Sequence, residues 1–201
     1  ISVDFEYTDR QFSRSFFGAG TSAKLFDDKL QLKVQYLREG DDQDSPIDIS
    51  LSEQDKSTLS LAGDDRNKAI KSGVKLAEAD STGIIKGIYA KVDTIINNEA
   101  YSYFVYNPGD SLSLYTVSFS YVGEGKGAYN RQSLGYYNFV GISNGSYLPV
   151  IFLPLPQLKQ MGNIVVDINP FNNVFLSLEY GGSLWDKNRF SVLEDGDNYG
   201  Y

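Results

Sequence analysis

Five oxygen-bearing side chains crowd the end of the chain: Asp186, Glu194, Asp195, Asp197 and Asn198. Carboxylate and amide oxygens are hard ligands, and calcium is the ion that takes about six or more of them. These five are the candidate metal residues, and calcium is the one cofactor the sequence suggests. Their spacing does not follow the helix-flanked calcium loop, and a solvated acidic rim accounts for the same residues. Asp41, Asp42 and Asp44 carry the same two readings. Histidine and cysteine are both absent. That removes thiol nucleophiles, disulfides, histidine triads and Cys/His zinc sites. Gly123-Glu124-Gly125-Lys126-Gly127 has the look of a phosphate loop. It lacks a Lys followed by Ser or Thr, and no amphipathic helix follows, so it reads as a glycine turn. Two carboxylates could hydrolyse a glycoside, but nothing fixes a pair at the required separation. No catalytic residue is assigned, and a non-enzyme is expected.

The elements that must position these residues are strands. From Lys29 to Glu39 polar and apolar side chains alternate, with Leu30, Leu32, Val34 and Tyr36 on one face. These positions reach ~36 Å when extended, enough to cross a bilayer core at barrel tilt. Val174, Leu176, Leu178 and Tyr180 repeat the pattern. Both stripes are expected to face lipid. Ile1, Val3, Phe5 and Tyr7 alternate as well, as do Ala19, Thr21, Ala23 and Leu25; residues 1–25 could be one bulged strand or two. Asp27-Asp28 and Asn169-Pro170-Phe171-Asn172-Asn173 read as tight turns. No run approaches the ~18 apolar residues of a spanning helix. A net charge of −8 and a pI near 4.5 argue against a nucleic-acid partner.

Residues 40–162 differ in character. An acidic loop is followed by a helix near 52–62, with Ser52 as N-cap, Leu59 and Leu61 as its apolar contacts and Gly63 as stop. A second short helix is expected near 65–72. Strands are expected over 84–92, 100–106, 112–122, 136–140 and 147–153. Tyr121-Val122-Gly123-x-x-x-Gly127-x-Tyr129 recurs eighteen positions later as Phe139-Val140-Gly141-x-x-x-Gly145-x-Tyr147. Two copies read as a local duplication. The prolines from Pro149 to Pro156 favour an extended edge.

Three sections result: a barrel-type strand block over 1–39, a β-rich insertion over 40–162, and a barrel-type hairpin with an acidic loop over 163–201. Short turns fall at one end of the strands and long polar loops at the other, as in outer-membrane barrels. The fold class expected is therefore mainly β: antiparallel hairpins of a partial outer-membrane barrel, with an extracellular β-rich cap carrying two short helices. At most five spanning strands are present where a closed barrel needs about eight, so the chain reads as a section of a longer polypeptide. The aromatic residues and Trp185 then read as interfacial girdles, although they could stack on sugars.

Several segments taken in order carry a resemblance. They are Arg38-Glu39-Gly40-Asp41-Asp42, Ala62-Gly63-Asp64-Asp65, the paired Val-Gly-x-x-x-Gly-x-Tyr units, Leu153-Pro154-Leu155-Pro156, and Asp186-Lys187-Asn188-Arg189-Phe190-Ser191 leading to Asp195-Gly196-Asp197-Asn198. With them the chain resembles large, mostly uncharacterised outer-membrane β-barrel proteins of Gram-negative bacteria, with a more distant similarity to giant barrel protein translocons. The resemblance implies a surface-exposed β-rich module inserted into a barrel, and no catalytic residues. The expected function is a non-enzymatic section of an outer-membrane barrel whose cap serves gating, uptake or export. Its partners would be outer-membrane lipid, the rest of the parent barrel, and a surface lipoprotein or exported polypeptide. The alternative is a soluble cell-surface β-sandwich that binds carbohydrate or protein.

Overall fold

Alternating sequence becomes long strands, as a computed structural model shows; it describes residues 11–96, 98–171, 173–195 and 198–201. In chain order the first elements are β1 (Phe12–Leu25), β2 (Leu30–Pro46), α1 (Glu53–Ala62), β3 (Ile70–Ser72) and β4 (Val74–Leu76). Next come β5 (Tyr89–Ile96), β6 (Glu99–Tyr106), β7 (Tyr115–Val117), β8 (Ser120–Tyr121), β9 (Tyr129–Ser133) and β10 (Tyr136–Phe139). The last are β11 (Tyr147–Leu148), β12 (Val150–Phe152), β13 (Leu158–Phe171), β14 (Val174–Asp186) and β15 (Tyr199–Gly200). The protein is mainly β with antiparallel pairing, and the described strands do not close into a barrel. No helix among the described residues is long and apolar enough to cross a membrane.

Two compact units divide the chain, one formed by 1–69 with 154–201 and the other by 70–153. These boundaries differ from the 40–162 insertion expected from sequence. The reason is that β2 runs on to Pro46, β13 starts at Leu158, and α1 is tied to residues 188–191 that follow β14.

The first unit is built on a five-stranded sheet in the order β1-β2-β13-β14-β15. The β1–β2 turn is tight: Phe26, Asp27 and Asp28 all adopt left-handed φ, and Lys29 N–H donates to Phe26 O at 3.2 Å. β1 is a single strand from Phe12, and the alternation at residues 1–7 lies outside the described residues. α1 opens with a capping box, Ser52 Oγ accepting from Asp55 N–H and Asp55 accepting from Ser52 N–H. It ends at Gly63, φ 59°. Leu59 and Ala62 are buried, whereas Leu61 is 72% exposed and makes no core contact, contrary to expectation. Turning at 100° per residue, the helix aims Leu61 away from the face that holds Leu59 and Ala62.

The expected second helix at 65–72 does not form. Asp65 accepts from Asn67 N–H at 2.9 Å, a local turn that competes with helix. Residues 70–72 are then drawn into β3, paired with β12.

The second unit holds two four-stranded sheets, β4-β7-β5-β6 and β10-β9-β11-β8, and the β12–β3 pair. Its logic is the glycine repeat. Gly127 and Gly145 exchange both backbone hydrogen bonds, at 2.9 and 3.0 Å. Val122 N–H donates to Ser146 O and Val140 N–H to Ala128 O, both at 2.9 Å, so the copies are related by a local two-fold. A Cβ on Gly127 would lie 2.3 Å from Tyr147 N, and one on Gly145 2.5 Å from Tyr129 N. Only glycine permits that crossing.

The repeat has more than two copies. Gly83-x-x-x-Gly87-x-Tyr89 and Gly109-x-x-x-Ser113-x-Tyr115 cross in a similar way. Gly87 N–H donates to Ser113 O at 2.7 Å and Ile88 N–H to Tyr115 O at 3.0 Å. The leading glycines 83, 109, 123 and 141 all have positive φ. The local duplication expected from sequence is thus four units in two crossed pairs. These crossings also shorten the expected strands: 84–88 is not strand, and 112–122 breaks into β7 and β8.

Candidate functional site

Two regions of the first unit bring chemistry-bearing residues together: the broad face of its sheet, and a polar knot at the end opposite the tight turns.

The face is set by register. β2 pairs with β1 so that Leu30, Leu32, Val34 and Tyr36 oppose Leu25, Ala23, Thr21 and Ala19. On the other side β13 places Ile168, Val166, Ile164 and Gly162 against the same residues. β14 continues the rows with Leu176, Leu178, Tyr180 and Gly182. Side chains directly opposite point to one face of a sheet. The stripes of β2 and β14, read separately from sequence, therefore lie on a common surface, with Val174 at its foot. From Leu25 to Phe17 that surface is ~26 Å along the strand, or ~20 Å high at barrel tilt, against the ~25 Å of a barrel's apolar band.

The surface is open. Leu176, Leu178 and Tyr180 are 55%, 59% and 60% exposed. Leu30, Leu32 and Val34 are half-buried by their neighbours in the sheet. Aromatic rings mark both ends, Phe17 against Tyr36 with centroids 6.4 Å apart at the upper end and Phe26 and Phe171 at the turns. The opposite face is mostly polar. Lys33 Nζ lies 3.2 Å from Asp167 Oδ2, Ser177 Oγ donates to Asp167 Oδ1 at 2.6 Å, and Asn163 donates to Glu179 at 3.3 Å.

At the upper end Asp41, 4% exposed, is the centre of the knot. Arg14 grips its carboxylate through Nε at 2.6 Å and Nη2 at 3.2 Å, and reaches Glu39 through Nη1 at 2.9 Å. Gln157 N–H donates to Asp41 Oδ2 at 2.9 Å, and Arg189 Nη1 donates to Asp41 O. Asn188, fully buried, donates from Nδ2 to Leu59 O at 2.8 Å and Gly63 O at 2.7 Å, so it caps the helix C-terminus. Ser191 Oγ adds a bond to Ser60 O at 2.9 Å. Three sequence segments, 38–42, 62–65 and 186–191, thus meet in one hydrogen-bonded rim. Sequence reading assigned no role to Arg14, Asn188 or Arg189; the one signal was that Asn188 and Arg189 fall in a segment that carries the resemblance.

Among the described residues the candidate calcium ligands do not gather as a metal site, and Asp186, Glu194 and Asn198 are engaged by protein donors. Asp186 accepts from Asn188 N–H at 2.9 Å. Glu194 accepts from Asp64 N–H at 3.2 Å. Asn198 donates to Asp64 Oδ2 at 2.5 Å and accepts from Lys187 Nζ, whose ammonium already supplies a cation there. Asp195 has no ligating neighbour set, and Asp197 lies outside the described residues. Among the described residues no three acidic side chains gather as a metal site. Of the other acidic loop, Asp41 is taken by Arg14, and Asp42 accepts from Ser45 Oγ at 2.8 Å and Asp44 N–H at 3.1 Å.

No protein-family model, curated protein or solved structure matches this chain.

Proposed function

We propose that β1, β2, β13 and β14 are part of the wall of an outer-membrane β-barrel, and that the protein works without catalysis, in gating, uptake or export through that barrel. The observation that carries this reading is the register. It gathers the apolar stripes of two hairpins, far apart in sequence, onto one open face and leaves the opposite face mostly polar. A plane four strands wide and ~26 Å long covers roughly 500 Å², whereas soluble monomers rarely leave contiguous apolar patches beyond a few hundred Å² exposed. Lipid is the solvent that makes such a surface favourable, and a polar lumen suits Lys33, Asp167 and Glu179. The long connections leave the sheet opposite the tight turns, as surface loops do in outer-membrane barrels, which supports a cell-surface setting for the rim knot. The outer edges of β1 and of β14 below β15 would pair with further barrel strands, since an unpaired edge in a membrane leaves backbone groups unsatisfied.

The experiment is flotation of the refolded chain with lipid vesicles. Val34→Lys puts an ammonium on the lipid side and should reduce insertion by about 2–4 kcal/mol at mid-bilayer, while Gln35→Lys, one residue on and facing the lumen, should insert like the parent. Equal behaviour of the two variants would reject the wall. It would favour a soluble sandwich whose apolar face is covered by another protein layer.

A further inference from the structure

The apolar face is interrupted at one place. Gly162 and Gly182 oppose each other across β13 and β14, so two adjacent strands lack side chains in the same row. The result is a trough of about 350 Å³, walled by Tyr36 on one side and by Tyr199 and Tyr201 on the other, with Gln160 and Leu184 above. A Cβ on Gly182 would meet only Gly200 O at 3.5 Å, so the floor is open to an occupant. Immediately above, Arg38 stands opposite Gln160 in the register, on the same face as Tyr36. Arg38 has no ion pair among the described residues, unlike Arg14, and it sits on a chain of net charge −8.

We propose that this trough is a binding site for an anionic phospholipid, with an acyl chain lying over Gly162 and Gly182 and the phosphate held by Arg38. The inference rests on the membrane-wall reading and deepens it. The tyrosines give flat apolar walls with hydroxyls free to reach the headgroup level, the usual place of such rings in a bilayer. The guanidinium offers paired donors to phosphate oxygens. An uncharged occupant would leave Arg38 without a partner at the apolar boundary, and a zwitterionic one sets its own ammonium against Arg38 beside the same phosphate, so net charge selects the anionic lipid.

The test uses the full chain in nanodiscs of equal parts phosphatidylcholine and phosphatidylglycerol, transferred to detergent and analysed for retained lipid by native mass spectrometry. The parent should retain phosphatidylglycerol over phosphatidylcholine by about five-fold, the factor one basic residue near a charged lipid surface supplies. Arg38→Gln should keep a bound lipid but lose the preference. Gly182→Leu should fill the trough and abolish retention, with vesicle flotation confirming that both variants still insert. Equal retention of the two lipids by the parent, or a preference that survives in R38Q, overturns the assignment while the wall stands. Failure of the parent to float overturns both.

Discussion

Asp41 illustrates how a residue's role depends on partners that sequence distance hides. Arg14 is 27 positions away and Gln157 116, yet both bind one carboxylate. Alternation announces a strand, but nothing in an Asp-Asp-x-Asp loop announces that its first member is buried and its second solvated. Calcium ligation and a solvated rim were the readings open to sequence; an internal ion pair emerged only when β1 closed on β2. Asp41→Ala should lower stability by about 2 kcal/mol, because the half-buried Arg14 keeps only Glu39 and Gln157 N–H loses its acceptor. The shift would be read from the denaturant midpoint. Asn188→Ala should cost a similar ~1–2 kcal/mol by leaving the carbonyls of Leu59 and Gly63 bare in a buried place. Here the diagnostic is faster amide exchange across α1 with β2 and β13 unchanged.

At the level of elements, the aromatic core of the second unit depends on its glycine crossings. Phe119 stacks on Tyr137 at 4.3 Å and meets buried Tyr129 and Tyr89 at 4.7 and 5.5 Å. Gly127→Ala should unfold this unit or cost more than ~3 kcal/mol, since the new methyl would meet backbone atoms that cannot move aside. Gly135→Ala places its methyl in open space and pays only the strain of φ 77°, about 1 kcal/mol. Similar losses for both in thermal melts would contradict the crossing. Burial pushes the Tyr129 hydroxyl up to about 12, while that hydroxyl accepts from Phe104 N–H at 2.8 Å. The unfolded phenol ionises near its ordinary value of 10.0, so folding stability is complete below that pH and is lost as pH rises toward about 12. Tyr129→Phe should flatten this alkaline decline, measured by thermal melts across the range, and should lower stability at neutral pH because Phe104 N–H loses its partner. Two of the four repeat units were legible because they share a fixed offset. The other pair escaped because its spacing is different and Ser113 replaces one glycine; the physical constant is a crossing geometry, which tolerates any loop between its halves.

For the whole molecule, the long strands of the first unit and their facing were readable from alternation, whereas register, domain limits and the short strands β3, β4 and β9 were not. Each stripe was visible in its own segment. That Val34 would stand beside Ile164, which joins the two hairpins into one sheet, is a matter of pairing across more than a hundred residues. The consequence is measurable in bulk. In plain buffer the chain should self-associate through its open face and brighten an apolar dye, and in micelles it should sediment as a single copy. A monodisperse, dye-silent chain without detergent would mean the face is satisfied some other way.

β2 and β13 are neighbours, so everything between them leaves and re-enters the sheet through adjacent doorways. The sheet therefore has the bonding of an ordinary hairpin at β2 and β13, whatever lies between them in sequence. Doubling such a tether costs only about 0.6 kcal/mol in closure entropy. A lineage could exchange residues 70–153 for a different module without disturbing one rung of the sheet, so the two units are free to evolve apart.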